Sequence, residues 1–199
     1  ESLGLDYASL ARIKPDIILT ASSAFGSHPA MRDRLGFDGV GQAISGAVHM
    51  TGLPDHPMKA MVPMVDFATA ISCALGTVMA LYERQRSGVG QEVGASLLQT
   101  GLNLASGSLI EEAVLRLDRK ATANRSRNYA PSDIFKVKDG WIIVQVIGPA
   151  MFERWARLID EDGPTPRNER NHDDRDTRLV QNPWDLSWDL TGFFASAQG

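Results

Sequence analysis

Between Ala60 and Tyr82 the chain runs for 23 residues with one charged side chain, Asp66. No other feature limits the fold as much. A stretch so long and apolar must be enclosed, by protein or by lipid. Pro63 and Asp66 interrupt it and no aromatic belt flanks it, which favours a buried helix in a soluble fold over a membrane span. The helix is expected from about Phe67 to Arg86, with Asp66 as N-cap, Arg84 and Arg86 in its last turn, and Gly88 as the stop.

Enclosing that helix requires a core. A chain of 199 residues, 43% hydrophobic and 22% charged, can build one, and this balance excludes a wholly disordered chain. A net charge of −4 argues against nucleic acid as a partner held by bulk charge. The lone cysteine, Cys73, excludes an internal disulfide framework, and a cytoplasmic setting fits best. The chain opens on Glu1, and Tyr7 to Pro15 reads as the end of a helix running into a strand. A fragment or truncated form is therefore expected.

The flanking elements point to an α/β protein. Residues 16–22 read as a buried strand, followed by a loop over 23–29, and strand C-termini are where α/β folds place ligands. Residues 40–50 carry apolar positions at helical spacing, and 51–57 read as a loop. Gln91–Ala95 is a short strand candidate, and Ser96 caps a long helix from Leu97 to about Leu117. Residues 118–129, rich in Arg, Lys, Asn and Ser, read as a linker. Asp139-Gly140 between two apolar runs, 132–138 and 141–147, signals a hairpin, and residues 151–159 an amphipathic helix. From Glu161 to Arg178 no aliphatic, aromatic, Met or Cys residue occurs, so the stretch is expected to be solvated or disordered.

Few residues offer chemistry. The four histidines form no His-x-x-x-His pattern, and with one cysteine no Cys-x-x-Cys exists, so no metal is expected. No Gly-x-Ser-x-Gly elbow appears. Gly88 to Gly94 has the wrong spacing for a dinucleotide loop and follows a helix rather than a strand. Asp66 remains. Its ordinary role would be to cap the helix. A carboxylate kept ionised by a helix N-terminus, in an apolar and poorly hydrated wall, can also act as a nucleophile. The two readings are compatible.

A series of segments adds to this. Ser23-Ala-Phe-Gly26, Arg34-Leu-Gly-Phe-Asp38, Gln42 with Ser45-Gly46, and Met50-Thr-Gly52 come in that order. Val65-Asp66-Phe-Ala-Thr-Ala70, Ala74-Leu-Gly76, Ala80-Leu81, Arg84, Arg86-Ser-Gly-Val-Gly-Gln91 and Ser96-Leu97 follow. Their order and spacing resemble the class III CoA-transferase family, which includes formyl-CoA and carnitine-CoA transferases and the α-methylacyl-CoA racemases. Pro131-Ser-Asp-Ile-Phe135 and Asp139-Gly-Trp141 match the start of that family's small domain. The resemblance covers about residues 3 to 159.

The resemblance implies a Rossmann-like large domain, here partial over 1–117, a linker over 118–129, and the start of a smaller α+β domain over 130–160. A polar, poorly ordered tail follows over 161–199. It implies an interlocked homodimer with acyl-CoA and carboxylate substrates. Coenzyme A enters as a substrate thioester, with no permanently bound cofactor. Neither membrane nor nucleic acid is an expected partner. Asp66 stands where the family's catalytic aspartate does, attacking the thioester to form first an anhydride and then an aspartyl-CoA thioester. The family's racemases need a histidine directly before the Asp of Gly-x-Asp. Phe37 occupies that position and cannot carry a proton, which favours transfer over epimerisation. Phe37 and Gln42 are the expected substrate contacts, although Phe37 alone reads equally as a packed aromatic and Gln42 as a helix-surface residue. The N-terminal third of the family pattern has no counterpart here, nor does a Gly-rich run after Leu117. A non-catalytic remnant is therefore the alternative from a different class, and a racemase-like epimerase the alternative within the family.

Overall fold

The computed structural model describes residues 3–137 and 139–161. They belong to two compact units, Glu1–Ala121 and Thr122–Gly199. The expectations for the tail fall, from residue 162 on, outside the described residues.

In the first unit a short helix α1 (Tyr7–Ile13), capped by Asp6 accepting from the Ser9 amide at 2.9 Å, leads into strand β1 (Ile18–Ser23). Helix α2 spans Asp38–Ile44 and α3 Ala47–Met50. The expected single helix over 40–50 is thus two, because Gly46 sits at φ 85°, a left-handed conformation that ends the first and starts the second. The loop expected over 51–57 pairs with itself as β2 (Gly52–Leu53) and β3 (His56–Pro57). Then come the long helix α4 (Met64–Ser87) and strand β4 (Gln91–Ser96). Ser96 caps α5 (Leu97–Leu104), its hydroxyl accepting from the Gln99 amide at 3.2 Å. The expected continuation to Leu117 breaks at Ala105, and α6 (Ser106–Leu115) follows.

β1 and β4 pair in parallel, from Ile18 with Gln91 to Ser23 with Ser96. A parallel pair needs a crossover, and α4 supplies the helix that packs back on both strands. Its inner face touches them closely. Thr77 and Thr20 bring their hydroxyls to 2.6 Å, and a methyl group on Gly76 would stand 2.6 Å from Val93 Cγ1. At the other end Arg84 donates to the Asp16 carbonyl at 3.1 Å and lies 3.6 Å from its carboxylate. A hydrogen bond from Lys14, then the charges of Lys14 and Arg84, hold the Asp16 carboxyl below the usual aspartate range.

The expectation that α4 is largely buried is not met in this chain. It is the one helix among the described residues long and apolar enough to cross a membrane, and 17% of its most apolar window is buried. A two-stranded sheet covers only one side of a 24-residue helix. Phe67, Ile71, Leu75, Val78 and Tyr82 therefore face outward in a stripe at helical spacing.

The second unit is built on an antiparallel hairpin, β5 (Ser132–Val137) with β6 (Gly140–Gln145), followed by α7 (Pro149–Glu161). Val146, Phe152 and Trp155 form its core, against Phe135, Ile142, Val144 and Ala156. The Phe152 and Trp155 rings lie 5.8 Å apart, tilted by 42°.

Candidate active site

The site is assembled where α2 meets the start of α4. One close approach joins α2 to α4, and a second seats α2 on α5. A methyl group on Gly41 would lie 3.0 Å from Val65 Cγ1 and 3.3 Å from Leu97 Cβ. On the facing helix α5, one on Gly101 would lie 2.9 Å from Ser45 Cβ and 3.0 Å from the Gly41 carbonyl oxygen. Spacing this tight leaves little room for a side chain, and it puts the first turn of α2 beside the first turn of α4.

Asp66 is the third residue of α4, not its cap. The residue in the N-cap position is Pro63, whose side chain accepts nothing. The capping oxygen comes from another helix. Asp38 Oδ1 accepts from the amide of Val65 at 2.8 Å and from that of Asp66 at 3.2 Å. The sequence reading of Asp66 as N-cap is corrected accordingly: a carboxylate 28 positions earlier in the chain does that work. The side chain of Asp66 is exposed, and among the described residues its carboxylate has no hydrogen-bond or ion-pair partner.

The two expected contacts are placed differently, Phe37 in solvent and Gln42 in the interior. Phe37 is 76% exposed and immediately precedes Asp38, in the N-cap position of α2. Gln42 is 1% exposed, one turn after Asp38. Its Nε2 donates to Asp38 Oδ2 at 2.5 Å and to the Ala60 carbonyl at 3.3 Å, while its Oε1 accepts from the Ala60 amide at 2.8 Å. Its amide is thus turned inward, toward the protein. Asp38 is the residue that sequence reasoning passes over, although Asp38 and Gln42 lie four apart, a spacing that places them on one helix face.

A separate cavity of about 580 Å³ opens in the same unit, lined by Ser45, Met50, Val65, Leu104, Leu109 and Arg119 among others. Asp66, Phe37 and Gln42 do not line it. Arg119 holds Glu111 through two hydrogen bonds of 2.7 Å at its wall, and His49 Nε2 lies 3.2 Å from the Arg119 carbonyl.

A parallel pair with a helical crossover, and an unengaged aspartate in the first turn of that crossover helix, define an α/β protein with a nucleophile candidate at a helix start. The chain belongs to CoA-transferase family III, whose pattern matches residues 1–198. It is 32% identical, over 163 residues, to the succinyl-CoA–D-citramalate CoA-transferase of Chloroflexus aurantiacus, covering 81% of this chain and 40% of that protein. With the human succinyl-CoA:glutarate CoA-transferase the identity is 28% over 162 residues, 80% of this chain and 36% of the relative. Among solved structures, a CaiB/BaiF family protein from Brucella suis superposes with a TM-score of 0.71 at 27% identity, covering 89% of this chain and 45% of that one. The chain thus spans less than half the length of these relatives.

Proposed function

We propose that this protein transfers coenzyme A from an acyl-CoA to a carboxylic acid, with Asp66 as the nucleophile. The observation that carries the reading is the disposition of Asp66: its amide is engaged by Asp38 while its carboxylate is left free in the first turn of α4. Membership of CoA-transferase family III supports the reaction class.

The steps follow from carboxylate and thioester chemistry. A carboxylate oxygen of Asp66 attacks the thioester carbonyl, the carbon–sulfur bond breaks, and the CoA thiolate leaves behind a mixed anhydride. The thiolate then attacks the aspartyl carbonyl of that anhydride and expels the donor acid as its carboxylate. This leaves an aspartyl-CoA thioester. The acceptor carboxylate attacks the thioester, again releasing thiolate and forming a second anhydride. The thiolate finally attacks the acceptor's carbonyl, which returns Asp66 as a carboxylate and releases the new acyl-CoA. Water must stay out, because it would hydrolyse every intermediate.

Both transferases compared above carry succinyl-CoA in their names, which makes it the first donor to try. Phe37, exposed beside Asp38, suits an apolar contact to the thioester end of the substrate. With phenylalanine there, proton transfer at an α-carbon lacks its second base, so epimerisation is the weaker reading. The parallel pair with its helical crossover supports a Rossmann-like arrangement of the large domain, with the unit from Thr122 as the start of a smaller one. The outward apolar stripe of α4 supports a homodimer, in which a second chain would cover it.

Hydroxylamine tests the chemistry. Added with succinyl-CoA to the full-length protein, it should convert the activated Asp66 to a hydroxamate, read as a mass change on its peptide. Full transfer activity in Asp66→Asn would refute the reading, since a neutral amide cannot attack a thioester.

A further inference from the structure

We propose that Asp38, held by Gln42, is a positioning residue that fixes Asp66 for attack by clamping the chain at two points as it enters α4. The proposal rests on Asp66 being the nucleophile. Its basis is the linked set of hydrogen bonds. Asp38 Oδ1 takes the Val65 and Asp66 amides, and Gln42 takes both backbone groups of Ala60. The chain from Ala60 to Asp66 is thus pinned at both ends to one face of α2. Its backbone can neither slide along α2 nor rotate about the axis of α4 without breaking one of these bonds. Phe37 sits one residue before Asp38, so the same clamp also fixes where Asp66 starts relative to Phe37.

The set has one polarity. Gln42 must present Nε2 to the carboxylate and Oε1 to the Ala60 amide. Turned over, it would face oxygen with oxygen at Asp38 and nitrogen with nitrogen at Ala60. Two single substitutions therefore break it in opposite ways. Asp38→Asn directs an amide nitrogen at the Gln42 nitrogen, and Gln42→Glu sets carboxylate against carboxylate. Together, Asp38→Asn with Gln42→Glu rebuild it with the polarity of the central bond reversed. The amide introduced at position 38 is then the donor and the carboxylate introduced at position 42 the acceptor. The caps on Val65 and Asp66 are retained, while the long 3.3 Å bond to the Ala60 carbonyl becomes a contact between two oxygens, so the rescue is expected to be partial.

This reciprocal exchange provides the test, with two readouts on the full-length protein. The first needs no turnover: hydrogen exchange at the Val65 and Asp66 amides should quicken in each single variant and return toward the wild-type rate in the double. The second is the rate of hydroxamate formation at Asp66 with succinyl-CoA. It should fall about 10- to 100-fold in each single variant, with the concentration of succinyl-CoA giving half-maximal rate unchanged, and recover in part in the double. Unchanged exchange in the single variants would overturn the clamp itself. Quickened exchange with an unchanged rate, while Asp66→Asn abolishes the adduct, would overturn positioning and leave the nucleophile standing. An adduct that survives Asp66→Asn would remove the nucleophile, and positioning with it, whatever the exchange data show.

Discussion

Thr69 on α4 and Thr100 on α5 bring their hydroxyl oxygens to 2.9 Å in a buried contact, while Thr69 Oγ1 also lies 2.7 Å from the Val65 carbonyl of its own helix. This ties the first two turns of α4 to α5 through polar atoms. Thr69→Val keeps the shape but leaves the Thr100 hydroxyl short of a partner, and is expected to cost about 1–2 kcal/mol in urea unfolding. Replacing both by valine should cost less than the sum of the two singles, because no hydroxyl is then stranded. Strict additivity would show that the pair does not interact.

Loss of Asp66 and loss of Asp38 are expected to differ in their effect on stability. Asp66→Asn or Asp66→Ala removes a helix-end charge but no cap, so each should shift stability by less than about 1 kcal/mol. Asp38→Ala strands two amides at a buried helix start and should cost about 1–3 kcal/mol. Thermal melts of the three variants decide it. A larger loss from Asp66→Ala than from Asp38→Ala would restore Asp66 as the true cap.

The same substitution should have opposite signs on neighbouring helices. Gly101→Ala on α5 gains about 1 kcal/mol of helix propensity but drives a methyl group to 2.9 Å from Ser45 Cβ and 3.0 Å from the Gly41 carbonyl. Overpacking against backbone should win, for a net loss of about 1–2 kcal/mol. Gly107→Ala on α6 meets no atom within 4 Å and should stabilise by up to about 1 kcal/mol. Denaturant midpoints of the two variants give the comparison.

Asp16 supplies a dependence on acidity. Its carboxyl sits below the usual range because Lys14 hydrogen-bonds to it, with the charges of Lys14 and Arg84 adding to this. The folded state therefore binds a proton less readily than the unfolded one. The stabilisation is fully present above the ordinary aspartate value of about 3.9 and fades as pH falls through the depressed folded value. The difference in melting temperature between wild type and Asp16→Asn should shrink over that window. Because the group is exposed, it should also shrink in high salt. A difference that grows on acidification would contradict the assignment.

What can be read from the sequence is local. Ser96 caps α5 because the oxygen and the amide it accepts from lie three residues apart. The hairpin signalled by Asp139-Gly140 is present, but its turn lies one residue earlier than expected, since Gly140 already pairs with Val137 as the first residue of β6. Asp66 stands out because it is the one charge in an apolar run, and α4 because that run is long. The cap on α4 is not legible. An aspartate at position 38 can reach the amide of residue 66 only once α2 and α4 are packed, and nothing in the spacing of residues announces that. Gln42 is the same case: four after Asp38, it reads as a substrate contact or a helix-surface residue, and neither reading announces the bonds to Ala60. The exposure of α4 escapes a sequence reading for a related reason, because its apolar content says that it wants covering but not whether this chain supplies the cover.

The pairing of β1 with β4 has a consequence in time. The hairpin of the second unit closes over a two-residue turn, an event of about 1–10 μs in isolated peptides. Ile18 must instead find Gln91 across the whole of α2, α3 and α4, and each doubling of such a span adds about 0.6 kcal/mol to the entropy of closure. α4 packs against both strands and is built from local contacts, so helix formation is expected to precede the pairing of β1 with β4. A protease cut in the exposed residues 54–57, between the two strands, would turn that internal closure into the meeting of two separate chains. Refolding of the first unit would then depend on protein concentration, while the second unit's hairpin would form as before.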